Sequence, residues 1–451
     1  MRGLSLYPHS PDDVIERIGQ RPHAVPKSAD VVIIGGGIVG AASAYYLAAR
    51  GLSVVLVEKD RIASHQSGRN WGFVRTQYRD PAELPLAVKA LSLWPNLEST
   101  LGFPVGWRRS GCIFVAKDQE ELAAFDGWLE AADGVVPDAR MMTGSDVADL
   151  MPVFRAHAPG ALYTPSDGQA EPSLATMAFA WAAEARGAQI LEDCGATAIE
   201  TANGRIEGVT TEHGFIQARV VVCAAGAASH RFLRGVGLML PQQVVRNTVS
   251  LTAPMQPLSQ ACFCGFGVGL RQRGDGSCIL AAESTSDIDV TLDLMRASRF
   301  FLPSFVTHRK AFAFSVGRPL LDDLHDRVSL SPEERIIEPR RQRLQVNQRR
   351  AGETARLLQT LFGGLDQVAV VKSWAGAIDV LPDALPVIDG ATAVPGLIVA
   401  TGFSGHGFGL GPAVGQAVAD LATGAAPDVD LSPFRLDRFA RGDYRRPHAP
   451  L

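Results

Sequence analysis

Six residues near the start of the chain, Gly35-Gly36-Gly37-Ile38-Val39-Gly40, fit the pattern G-x-G-x-x-G. Glycine at the first position permits a tight turn. At the second it lets the backbone approach a diphosphate, and at the third it lets a helix pack closely on a strand. The pattern needs a strand before it and a helix after it, and the neighbouring residues supply both: Val31-Val32-Ile33-Ile34 is a short β-branched run, and Ala41 to Ala49 reads as a small-residue helix. Phosphate would sit where that helix begins, against the free amides around Ile38 and Val39 and the positive end of the helix dipole. A second apolar run, Val54-Val55-Leu56-Val57, ends on Glu58, followed by Lys59. A carboxylate at that distance accepts hydrogen bonds from a ribose. Together these features predict a dinucleotide site, although the fingerprint does not separate a flavin from a nicotinamide.

The elements that must position this site belong to a chain of 451 residues, long enough for two or three domains at ~150 residues each. Apolar residues make up 46% and charged residues 20%, which excludes a disordered or fibrous chain. The net charge of −4 provides no basic field for a nucleic-acid backbone. Cys112, Cys194, Cys223, Cys262, Cys264 and Cys278 contain no C-x-x-C pair, so neither zinc nor a redox dithiol is expected, and the thiols are predicted to be reduced and mostly buried. No metal site is predicted. The first thirty residues lack the apolar stretch of a signal peptide, so a cytoplasmic location is expected. Val31 to Ala49 is uncharged and as long as a membrane span, but strand, glycine turn and helix within it are three different structures.

Residues 1–29 read as an N-terminal extension broken by Pro8, Pro11, Pro22 and Pro26. A strand is predicted at Cys112 to Val115, a helix from Leu174 to Arg186, a turn at Asn203-Gly204 and a buried strand from Arg219 to Ala225. From about Leu240 the texture changes, with a hairpin signal at Asp275-Gly276. Arg335 to Arg356 reads as a largely helical, arginine-rich stretch with a solvated face. Glycine-rich sequence returns from Gly402 to Gly415.

Beyond Glu58, the segments Ser67-Gly68-Arg69-Asn70, with Gly72 close behind, and Arg75-Thr76-Gln77-Tyr78 resemble the stretch that passes the flavin ring in the superfamily of D-amino-acid oxidase, glycine oxidase and sarcosine oxidase. The resemblance continues in order. Ala224-Ala225-Gly226-Ala227-Ala228-Ser229 is similar to its second nucleotide-contacting loop, and Ser373-Trp374-Ala375-Gly376 through Pro386-Val387-Ile388 to its approach to the flavin. Gly402-Phe403-Ser404-Gly405-His406-Gly407-Phe408 is similar to its C-terminal flavin loop. The motifs look most like those of flavin subunits from heteromeric sarcosine and opine oxidases. The resemblance spans about Asp30 to Gly424.

It implies an α/β Rossmann-like FAD-binding domain (30–104, 167–239 and 373–428) with an inserted α+β substrate domain containing an antiparallel sheet (105–166 and 240–372), and a C-terminal tail (429–451). The flavin loop also makes physical sense by itself. A glycine-rich turn entering a helix aims amides at the pyrimidine side of the flavin, where reduction places negative charge. His406 is read as a residue held there for backbone shape rather than as a proton shuttle.

An amino-acid carboxylate needs a planar, bidentate cation. Glycine oxidase and D-amino-acid oxidase place one just before the Pro-Asp step, where this chain has Ile378. The sarcosine oxidase pattern instead implies Arg75 as the anchor, with Trp71 and Tyr78 shaping the pocket. The cysteine that tethers flavin in monomeric sarcosine oxidase corresponds to Gly376, so FAD is expected to be noncovalent. The flavin-loop lysine corresponds to Gly409, so the carboxylate pocket is expected either to have one cation fewer or to draw one from elsewhere, with Arg246, Arg271 and Arg318 as candidates. The implied reaction is hydride transfer from the carbon α to an amine, giving an imine, with dioxygen or another acceptor taking the electrons. Three alternatives stay open: a dehydrogenase subunit working with a partner, a flavin-dependent hydroxylase, although Ile388-Asp389-Gly390 does not continue in its pattern, and a noncatalytic nucleotide-binding scaffold.

Overall fold

Val31 to Ile34 and Val54 to Val57 are apolar at every position, so these strands need cover on both faces. In the computed structural model, which describes residues 24–283, 286–307, 312–338, 340–341, 344–445 and 447, they pair in parallel, Val31 with Val54 through Ile34 with Val57. Val31, Ile33, Val54 and Leu56 share a core with the helices Ile38–Ala49, Pro172–Glu184 and Gly407–Thr423. Val32, Ile34, Val55 and Val57 pack on the other face with Ile199, Phe232 and Leu233. Among the described residues the sheet has eight strands. Its central run, Leu397–Thr401, Gly214–Cys223, Ser28–Ile34, Val54–Val57 and Gln189–Leu191, is parallel, and the hairpin Ala196–Ala202/Arg205–Thr211 turns at Asn203-Gly204, both at positive φ. That is the conformation a two-residue turn requires.

The second sheet has ten strands among the described residues, from Arg140–Thr143 at one edge to Phe312–Ser315 at the other. The hairpin expected at Asp275-Gly276 joins Val268–Gln272 to Cys278–Ala282. The sheet is mixed rather than purely antiparallel: Cys112–Val115 runs parallel to Cys262–Gly265, and Ser286–Asp289 parallel to Phe312–Ser315.

Several expected boundaries move. Val370–Val380 pairs with Gln243–Thr252 along its length, so residues 373–380 lie in the second sheet rather than the nucleotide-binding one. The first strand begins at Ser28, inside the expected extension, of which residues 1–23 lie outside the described residues. The C-terminal tail is docked: Phe434 and Phe439 enter the cores on either face of the first sheet, and buried Arg438 pairs with Asp383 at 2.8 Å. Arg335 to Arg356 is only partly helical, with helices at Glu334–Ile337 and Gln348–Leu361; Arg343 lies outside the described residues. Arg350 is no solvated charge, since it pairs with buried Asp287 at 2.8 Å. All six cysteines are buried free thiols. No helix among the described residues is long and apolar enough to cross a membrane.

Candidate functional site

The two sheets border one cavity of about 1490 Å³, above the ~300–1000 Å³ of ordinary small-molecule pockets and therefore with room for a dinucleotide and a substrate together. At its nucleotide end, Gly35 has φ +110° and its amide donates to Val57 O at 2.9 Å. A Cβ at Gly40 would lie 1.9 Å from Gly35 O, so this glycine sets the approach of helix to turn. The helix Ile38–Ala49 carries no acid in its first turn to compete with an anion, and Ser67 Oγ accepts from the Ile38 amide at 2.8 Å. Glu58 accepts from the Gly36 amide at 2.6 Å and the Asp60 amide at 2.8 Å. Burial raises its pKa against those two amides.

At the other end, Asp167 is fully buried and fixes the turn after Arg75, accepting from Thr76 N (2.7 Å), Thr76 Oγ1 (2.8 Å) and Gln77 N (3.1 Å). Burial pushes its carboxyl up to about 6. Held this way, Arg75 donates to Gln77 O and lies over the Phe114 ring, 5.2 Å from its centroid. Tyr78 packs against Phe114, Phe125 and Trp128, and Trp71 lies edge-on to Phe73. These aromatic residues, Trp128 apart, line the cavity.

Two buried networks hold the Gly226 loop and the Gly402 to His406 loop at the cavity. Asp379 accepts from Gln66 Nε2 (2.8 Å), Gln242 Nε2 (2.9 Å) and the Gly402 amide (3.0 Å), while its carbonyl accepts from the Ser404 amide (2.9 Å). One carboxylate of the second sheet thus ties down Gln66, the Gly226 loop through Gln242, and the C-terminal loop. In the second network, His406 Nδ1 lies 3.0 Å from Glu83 Oε2, and Arg79 lies 3.9 Å from the same oxygen. Burial, reinforced by the Arg79 charge, pulls His406 down to about 4. Although burial opposes it, the contact with His406, followed by the Arg79 and Arg75 charges, holds Glu83 below its usual value. At neutral pH the neutral imidazole donates Nδ1–H to an ionised Glu83. This His–Glu pair was not visible in the sequence.

Residues 30–421 match the family described as FAD dependent oxidoreductase (DAO). The chain belongs to that family. It is 27% identical over 425 residues to the sarcosine oxidase subunit beta of Rhizobium meliloti (strain 1021), covering 92% of this chain and 89% of that one. It is 24% identical over 450 residues to the mitochondrial sarcosine dehydrogenase of Mus musculus, of which it spans 43%. The solved L-amino acid deaminase of Proteus myxofaciens, in complex with anthranilate, superimposes with a TM-score of 0.88 at 26% identity, covering 94% of this chain and 96% of that one.

As in the rest of the family, the cofactor is FAD, and the residues present fit it. Gly37 keeps its backbone open, with only Ser67 Oγ near where a Cβ would stand, and the helix Gly407–Thr423 begins at the cavity without an acid in its first turn. Of the predicted flavin residues, Gly35, Gly37, Ile38, Val39, Glu58, Lys59, Ser67, Arg69, Asn70, Gly72, Ala225, Gly226, Gly376, Gly405, His406, Gly407 and Phe408 line the cavity, as do Trp71, Arg75 and Tyr78. Gly40, Gly68 and Gly402 do not: their Cβ atoms would strike Gly35 O, Ala63 O and Leu381 Cδ1, so they serve packing. Arg271 is no spare cation, because it is buried against Glu171 at 2.7 Å beside Arg273. Arg246 lines the cavity but pairs with Asp289 at 3.1 Å, and the Arg318 side chain lies outside the described residues.

Asp379→Asn should place an amide NH₂ against donors from Gln66, Gln242 or Gly402. A mispaired buried group costs about 1–3 kcal/mol, so denaturant unfolding should shift by that amount and FAD should bind several-fold more weakly. Unchanged values for both would remove Asp379 from this role.

Proposed function

We propose that the chain oxidises the C–N bond of an amino acid or N-substituted amino acid whose carboxylate is held by Arg75. The observation that carries this reading is a guanidinium with no ion-pair partner among the described residues, facing a cavity next to the flavin loops. Arg79, rather than the expected Arg246, Arg271 or Arg318, is the further cation beside it, with Glu83 3.9 Å away. It is buried, lines the same cavity, and its Nη1 lacks a hydrogen-bond partner. Burial and the neighbouring Arg75 charge lower it to about 9, so it stays mainly cationic at neutral pH. Bound FAD supplies the acceptor for a hydride from the carbon α to nitrogen. The chain's part is to orient that carbon through the carboxylate and to exclude water with Trp71, Phe73, Tyr78, Phe114 and Phe125. His406 is already committed to Glu83 and is not needed as a base. The family match and the sarcosine-oxidising relatives favour this reading over a hydroxylase.

Anaerobic bleaching of the FAD-loaded chain against D-, L-, N-methyl and N-carboxyalkyl amino acids tests it. At least one amine should bleach the flavin band, and the corresponding acids lacking nitrogen should not. Failure of the whole panel would contradict the proposal. A second reading, in which electrons pass to a partner subunit, is favoured by the exposed Val316, Leu321 and Val328 (72%, 65% and 90%) and by the subunit character of the Rhizobium meliloti relative. Bleaching without useful peroxide formation in air would support it; rapid peroxide formation by the chain alone would count against it.

A further inference from the structure

The cavity wall carries a carboxylate that the reading above does not use. Glu283 follows the strand Cys278–Ala282, and its amide donates to Gly267 O at 3.2 Å while Gly267 N donates back to Glu283 Oε2 at 3.1 Å. This reciprocal pair fixes the backbone and one carboxylate oxygen. Oε1 has no hydrogen-bond partner among the described residues, and no described cation forms an ion pair with this carboxylate. Glu283 lines the cavity together with Trp71, Arg75, Tyr78, Phe114 and Phe125.

The neighbouring acid on the same wall differs. Glu121 is matched by Lys117, which contacts it through both ammonium and backbone amide. Burial, with the like charge of Glu121 added, pushes Glu283 up to about 7 against the Gly267 amide and Lys117. A cation arriving from solution would relieve that desolvation. Arg75 does not fill this place. Its contacts are Gln77 O and the Phe114 ring, and among the described residues it forms no ion pair with Glu283. The cavity therefore presents a guanidinium and a carboxylate that, among the described residues, are ion-paired neither with each other nor with another group, with aromatic surface around them.

Resting on the assignment of Arg75 to the substrate carboxylate, we propose that Glu283 is the specificity-determining residue for a second, cationic group. The substrate is an amino acid, or N-substituted amino acid, whose side chain ends in an ammonium or guanidinium. The carboxylate goes to Arg75, the methylene stem lies along Tyr78 and Phe125, and the terminal cation reaches Glu283 Oε1. Ring faces beside that cation add to its attraction. A site built to pair a charge rejects an uncharged analogue strongly, because the buried partner is then left alone.

The test uses the FAD-loaded full chain and two ligand pairs, lysine with norleucine and arginine with citrulline, each as both enantiomers and as N-methyl derivatives. Calorimetry gives affinity and anaerobic mixing gives the rate of flavin reduction. The wild type should favour the cationic member by about 30-fold or more. Glu283→Gln should lower that member's kred/Kd, or its affinity where no turnover occurs, by about tenfold or more, and leave the neutral member within about twofold. Glu121→Gln, whose carboxylate is already matched, should keep the wild-type preference. Equal handling of charged and neutral ligands by the wild type, equal loss of both in Glu283→Gln, or no detectable binding of any ligand would overturn the proposal. Selective binding of lysine or arginine without flavin reduction would support it while contradicting the oxidation reading, so the two fail separately.

Discussion

Gly40→Ala is expected to give a protein that cannot hold FAD. The new Cβ would lie 1.9 Å from Gly35 O and 3.4 Å from Ile33 Cγ2. The nearer atom is backbone and cannot rotate away. It belongs to a turn already fixed by the positive φ of Gly35 and by its amide bond to Val57 O. To make room, the helix Ile38–Ala49 must lift from its strand, carrying the phosphate-facing amides with it and loosening its contact with Gly407–Thr423, where Gly415 lies against Ala42. Overpacking costs about 1–3 kcal/mol when side chains can adjust, and a clash with backbone belongs at or beyond the top of that range. FAD affinity should fall by about 100-fold or more, equivalent to ~2.7 kcal/mol. Flavin content after purification and thermal unfolding read both effects. Gly127→Ala is the control: it lies in the helix Gln119–Ala131 with nothing within 4 Å of the added carbon, and should be neutral or stabilising by up to ~1 kcal/mol. A Gly40→Ala protein that is as yellow and as stable as wild type would refute the placement of this turn.

Arg75→Lys should leave FAD content unchanged and reduce kcat/KM about 100-fold or more. Lysine keeps the charge but loses the planar fork that fixes a carboxylate in one orientation, and hydride transfer depends on that orientation. It also cannot keep both the bond to Gln77 O and the stacking over Phe114. Because none of its described contacts involves the nucleotide-end residues, loss of flavin would point to a different role. Anaerobic reduction at the wild-type rate would contradict its assignment as anchor.

The nucleotide half was legible in the sequence because its physics is local. A β-branched run, a glycine turn, a small-residue helix and Glu58 are set by spacing within thirty residues, and they fall where expected. The substrate half depends on acids that are far apart in sequence and unremarkable in context. Asp167, Glu83 and Asp379 gain their roles from what folding brings to them: the Thr76 turn, His406 and the Gly402 amide. Asp379 directly follows Ile378, the position at which the sequence showed only a missing arginine. Arg271 illustrates the reverse error, since a conspicuous cation is neutralised by Glu171, one hundred residues away. The boundary drawn at Ser373 failed because strand pairing from Val370 to Val380 is decided by its partner Gln243–Thr252, not by its own composition.

A crystal structure of the FAD-loaded chain with a carboxylic acid lacking an amine tests the central claim most directly. The isoalloxazine ring should lie between the Arg69 to Phe73 segment and the Gly405 to Phe408 loop, with both oxygens of the acid within about 3.2 Å of the Arg75 guanidinium. An acid bound elsewhere, or an Arg75 turned away from the ring, would contradict the account.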